Sequence, residues 1–88
     1  MPWLFEFRPN TLKDFRKLDK QTQSLILDYL EERISGDDDP RRFGKGLHSN
    51  LSGLWSYRIG TYRVVCQIKD SELLVLVVTV GHRKDVYG

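Results

Sequence analysis

The segment Glu72-Leu73-Leu74-Val75-Leu76-Val77-Val78-Thr79-Val80 carries apolar side chains at almost every position instead of alternating them with polar ones. A strand of this kind has to be buried on both faces, which predicts a central place in a sheet. Two further strand-like runs precede it, Trp55 to Ile59 and Tyr62 to Lys69. Gly60-Thr61 joins the first to the second, and Asp70-Ser71 joins the second to Glu72–Gly81; connections this short build antiparallel hairpins, so the carboxy-terminal half reads as a three-stranded meander. At the other end, Trp3-Leu4-Phe5-Glu6-Phe7 alternates with its aromatic rings on one side, a short strand ended by Pro9 and expected to lie beside the central one.

The intervening sequence is helical. Asn10 is a plausible cap for a short amphipathic helix with Leu12, Phe15 and Leu18 on one side. Asp19 can cap a second, whose stripe Leu25, Ile26, Tyr29, Leu30 and Ile34 runs until Gly36. Gly36 to Pro40 is a solvated loop; its triplet Asp37-Asp38-Asp39 has no second carboxylate cluster or histidine to complete a cation's oxygen-rich coordination. From Arg41 to Gly53 the chain is basic and punctuated by glycine, an irregular segment or helical turn anchored by Phe43, Leu47 and Leu51. The expected fold is α+β: strand, helix, helix, three strands, with a helical hairpin on one face of a four-stranded, mainly antiparallel sheet, residues 1–88 forming one domain.

Size and charge narrow the function. A chain of 88 residues buries only about 60–68% of its unfolded surface, leaving little room for an enclosed pocket, so function belongs on an open face. A single cysteine, Cys66, excludes an internal disulfide and fits a reducing cytoplasm, and no Cys/His cluster has metal-ligand spacing. No apolar run approaches the roughly 18–20 residues of a membrane span, and the amino terminus lacks the features of a signal peptide. The net charge of +2 conceals a polarised molecule: residues 1–40 hold six basic and nine acidic side chains, residues 41–88 eight basic and three acidic. A basic half calls for a polyanionic partner, unless it is only a solvated surface.

Register locates that charge. A two-residue turn at Gly60-Thr61 sets Ile59 opposite Tyr62 and Arg58 opposite Arg63. Alternation then sends Trp55, Tyr57, Ile59, Tyr62, Val64, Cys66 and Ile68 towards the helices, and Ser56, Arg58, Arg63, Val65 and Gln67 to the other face. Directly opposed like charges cost about 0.2–1 kcal/mol, a sign that a phosphate between the two guanidinium groups reverses. In the second hairpin the same reasoning puts Arg63 opposite Val78, so that the tail Gly81-His82-Arg83-Lys84-Asp85-Val86-Tyr87-Gly88 leaves the sheet at the arginine end, within reach of the same patch. Three arginines, a phenol, an imidazole and a lysine around one sheet face suit phosphodiester chemistry.

The segments Leu12-Lys13-Asp14-Phe15-Arg16-Lys17-Leu18-Asp19, Asn50 to Val64 around Gly60-Thr61, and Val80-Gly81-His82-Arg83-Lys84-Asp85-Val86-Tyr87 together resemble the RelE-type toxins of bacterial type II toxin–antitoxin systems, over nearly the whole chain. The resemblance implies a cytoplasmic, ribosome-dependent mRNA endoribonuclease that needs no metal or cofactor and is neutralised by an antitoxin encoded beside it. It implies attack of a ribose 2′-hydroxyl on the adjacent phosphate in the ribosomal decoding site. Carried over by position, Arg58, Arg63, Arg83 and Tyr87 are the catalytic candidates: Arg63 for charge stabilisation, Arg83 for phosphate binding, and Tyr87 for orienting the nucleotide. Ribosome and RNA binding would draw on Arg41, Arg42, Lys45 and Lys84. The chain departs from the family in having Ser56 where a second basic residue usually stands two positions before Arg58. Arginine does not act as a base, which leaves the proton acceptor open; His82 has the most suitable intrinsic chemistry, though a histidine ending a strand can equally be structural, and His48 is the other imidazole. Two other functions stay open: a ParE-like toxin that inhibits DNA gyrase without cleaving RNA, and a weakened member that only binds RNA or antitoxin.

Overall fold

The computed structural model describes residues 2–47 and 53–82. The expected anchor Leu51, together with His48, Arg83, Lys84 and Tyr87, lies outside the described residues. Strand β1 (Leu4–Phe7) leads into helices α1 (Pro9–Arg16) and α2 (Lys20–Tyr29), followed by β2 (Lys45–Gly46), β3 (Trp55–Ile59), β4 (Tyr62–Lys69) and β5 (Leu74–His82). The strands form one sheet in the order β1-β5-β4-β3-β2, with β1 parallel to β5 and every other pairing antiparallel. The α+β class and the helical hairpin are as the sequence predicts; the sheet has five strands instead of four. The additional one, β2, has only two residues, too few to show any alternation, and it exists because the chain after α2 folds back along β3.

One layer of core joins helices and sheet. Phe15 of α1 and Ile26 of α2, with Leu30 and Ile34 beyond it, pack on Tyr57, Ile59, Val64, Cys66, Val75 and Val77. Asp19 caps α2 as expected, its carboxylate accepting from the Thr22 N–H at 2.9 Å. Asn10, in contrast, is not a cap. Arg8 holds that position without a side-chain bond and Pro9 begins the helix, where its fixed φ fits and a missing N–H costs nothing. Beyond α2 the helix widens into a π-helical turn over Leu30–Ile34, closed by Ser35 N–H to Leu30 C=O at 2.9 Å. Gly36, at φ +122°, then exchanges two backbone hydrogen bonds with Trp3.

Two features of the last hairpin depart from the expected register. The connection after β4 is a helical turn over Asp70–Glu72 ending in Leu73 at φ +51°, so Lys69 pairs with Leu74. Further along, Val65 faces Thr79 while Cys66 faces Val77, which leaves Val78 as a bulge. The longer turn moves the register by two and preserves the faces. The bulge moves it by one more and exchanges them, so Arg63 lies opposite Gly81, not Val78. The bulged carbonyl is satisfied from the helical layer: the Thr11 hydroxyl of α1, almost fully buried, donates to Val78 C=O at 2.7 Å. The strand itself is flanked on both sides as predicted, although β4 holds the middle of the sheet.

Candidate active site

The open face of β3 and β4 carries the predicted arginine pair. Gly60 takes φ +61° in the turn, a conformation in which glycine has no Cβ penalty, and this closes the two-residue connection. Arg58 is then directly opposite Arg63, and Ser56 opposite Val65. On its other side Ser56 is opposite Lys45 of β2, so Lys45, Ser56, Arg58 and Arg63 share one face across three strands. Together with Gly44 they line an open cleft of about 260 Å³.

The loop that brings Lys45 here is fixed from below. The Tyr57 hydroxyl, buried in the core, donates to Pro40 C=O at 2.7 Å, and the Trp55 indole N–H donates to Phe43 C=O at 2.6 Å. Burial and the neighbouring Cys66 and Tyr29 push the Tyr57 phenol well above its ordinary pKa, so it remains a donor. Gly44 sits at φ +75°, and a Cβ there would collide with the Ser56 carbonyl oxygen and the Trp55 and Tyr57 rings; no other residue allows the loop this close to β3.

The other predicted cations divide. Arg41 makes a bidentate pair with Asp70, both bonds 2.8 Å, at the end of β4 remote from Arg63. That hydrogen bonding holds the Asp70 carboxyl below the usual carboxylate range and raises Arg41 further. Arg42 stacks on the Phe43 ring at 4.5 Å and pairs with Asp38 at 3.3 Å. Neither lines the cleft. His82 is not brought to it either: the bulge sets His82 opposite Tyr62, on the helix-facing side, where the two rings meet edge to face at 5.8 Å. Gly81 occupies the place opposite Arg63 and adds no side chain over it. β5 ends at this arginine end of the sheet. Among the described residues no group of three or more His, Cys, Asp or Glu side chains is placed to hold a metal ion, and no helix is long and apolar enough to cross a membrane. The sequence assigns Lys45 to ribosome and RNA binding but does not single out Gly44 or β2; the signal available for them is the Gly44-Lys45-Gly46 triplet, a lysine between two residues that permit close backbone approach.

Comparison with known proteins agrees with this architecture. The family described as the ParE toxin of the type II toxin–antitoxin system, parDE, matches residues 5–87. Toxin RelG of Mycobacterium tuberculosis is 32% identical over 87 residues, covering 99% of this chain and 98% of that protein. Among solved structures, the toxin–antitoxin complex RelBE2 of Mycobacterium tuberculosis superposes with a TM-score of 0.84 at 30% identity, covering 97% of this chain and 95% of that one. The isolated Escherichia coli RelE toxin gives 0.74 at 26% identity, covering 97% and 90%. Fold and sequence together define a toxin of a type II toxin–antitoxin system. Within that class the chain belongs to the RelE/ParE superfamily and is a RelE-type toxin.

Proposed function

We propose that this toxin, acting as a single domain over residues 1–88, is an endoribonuclease that cleaves mRNA in the ribosomal decoding site, in the cytoplasm, and is neutralised by a cognate antitoxin. The observation that carries the reading is the opposed pair Arg58 and Arg63, held on rigid strands and lining an open cleft with Lys45. Like charges in direct opposition destabilise a sheet, and a phosphate between them turns that repulsion into two charge-assisted contacts. The relatives, named as RelE and RelG toxins, and a structural neighbour that is the RelBE2 toxin–antitoxin complex support the toxin role and the antitoxin partner.

In the reaction the 2′-hydroxyl loses its proton and its oxygen bonds to the adjacent phosphorus. The P–O5′ bond breaks and the 5′-oxygen gains a proton, leaving a 2′,3′-cyclic phosphate and a 5′-hydroxyl. Arg63 and Arg58 stabilise the charge that builds on the phosphorane oxygens. Arg83 and Tyr87 follow Gly81 by two and six residues, and are assigned to phosphate binding and nucleotide orientation. The test is direct: purified toxin added to programmed ribosomes should cut mRNA at the decoding site, and Arg63→Ala or Tyr87→Phe should lose the cut by at least tenfold. Intact mRNA with inhibited gyrase would establish the ParE-like activity instead, and RNA binding without any cut would mark a binding-only member. Adding the product of the neighbouring small gene should suppress the cleavage.

A further inference from the structure

We infer that Lys45 contacts the same substrate phosphate as Arg58 and Arg63, supplying from β2 the cation that β3 lacks at Ser56; this deepens the nuclease reading above and rests on it. Three observations carry it. Lys45 and Ser56 are directly opposite in the β2–β3 register, so their side chains leave the same face with Cβ atoms about 4.5–5.5 Å apart. Lys45 lines the cleft with Arg58 and Arg63, whereas Arg41 and Arg42 of the same loop do not. And among the described residues Arg41 and Arg42 are held by Asp70 and Asp38, while no carboxylate pairs with Lys45.

The local structure is built to place this one side chain. Two hydrogen-bond donors, the buried Tyr57 and the half-buried Trp55, tie Pro40 and Phe43 to β3, and Gly44 admits the backbone to near contact with Ser56. Lys45 is the first residue past that contact. Ser56, directly opposite, is small and buried, so a long flexible stem leaving β2 can cross it towards Arg58. A lysine at position 56 would occupy the same space from the neighbouring strand. A lysine at position 56 is therefore expected to restore the third positive charge when Lys45 is removed.

The experiment compares wild type, Lys45→Ala, Lys45→Ala with Ser56→Lys, and Lys45→Ala with Gln21→Lys, the last restoring net charge on exposed α2. Two readouts are taken: mRNA cleavage on programmed ribosomes, and affinity for a 2′-O-methyl RNA oligomer, which cannot be cut, across a potassium chloride series. Lys45→Ala should weaken oligomer binding about tenfold, lower the salt slope by about one unit, and slow cleavage at least tenfold. Ser56→Lys should restore both, and Gln21→Lys neither. Equal rescue by Gln21→Lys would reduce Lys45 to a contributor of net charge and overturn the inference. So would Lys45→Ala with wild-type binding and cleavage while Arg63→Ala is inactive, an outcome that leaves the nuclease reading standing. Absence of cleavage by wild type under conditions where it binds ribosomes would instead remove the nuclease reading, and the catalytic claim for Lys45 with it.

Discussion

The two faces of β3 and β4 are built from alternate residues of the same fifteen-residue stretch, yet they obey opposite rules. On the helix side Tyr57, Ile59, Val64 and Cys66 are almost completely removed from water and packed against α1 and α2. On the other side Ser56, Arg58 and Arg63 line an open cleft in which two guanidinium groups oppose each other. The first face is arranged to hold the sheet together, and the polar atom it buries, the Tyr57 hydroxyl, is paired with Pro40 C=O. The second places two like-charged residues directly opposite each other, which the proposed function explains by a substrate phosphate between them. On the proposed function, stability and activity are separated by the two-residue period of the strand, and a substitution on one face should leave the other's property intact.

The largest effect is expected on the core face. Ile26→Ala leaves a cavity under β3 and β4 and should cost about 2–5 kcal/mol, read from the urea midpoint, while RNA affinity per folded molecule stays unchanged. Next is the residue that joins the faces. Thr11→Val removes the donor to the bulged Val78 carbonyl and should cost about 1–3 kcal/mol. Because the bulge determines which residue lies opposite Arg63, this variant should also lower cleavage per folded molecule; stability loss with full activity would show that the bulge persists without Thr11. Smaller and opposite in sign is Arg58→Gln, which relieves the like-charge opposition. Thermal unfolding should show unchanged or higher stability, by up to about 0.2–1 kcal/mol, with cleavage strongly reduced.

The smallest effect belongs to Asp70→Asn at the remote end of β4. The Arg41 partner lowers the Asp70 pKa, so the pair's contribution is present above the ordinary carboxylate range and is lost as pH falls through the folded-state value. Thermal denaturation should show a slightly lower midpoint for the variant at neutral pH and coincident curves in acid. A difference that grows in acid would contradict the pairing.

Much of this was legible because it depends on neighbours in sequence. The arginine pair follows from Gly60-Thr61: a two-residue turn leaves no freedom in which residues face each other, and Arg58 and Arg63 lie within six positions. The Asp19 cap, the interior strand β5 and the buried Ile26, Leu30 and Ile34 are likewise written in local patterns, whereas Leu25, expected in the same stripe, is half exposed. The site itself was read only in part. His82 and Lys45 exchanged importance, His82 leaving the arginine face and Lys45 joining it; the Gly44-Lys45-Gly46 triplet hints at the second move, and no local pattern signals the first.

By itself, then, the sequence determined the fold class, the opposed arginines and the basic half of the molecule, since alternation, turn length and charge act over a few residues. Tertiary structure decided the rest. The carbonyl of the Val78 bulge is paired with a hydroxyl 67 residues away in α1, and the loop that carries β2 is held by Tyr57 and Trp55 bonding to carbonyls 12 to 17 residues distant. Contacts of that span are chosen by packing of the whole chain, because a buried carbonyl must find a donor wherever the fold supplies one.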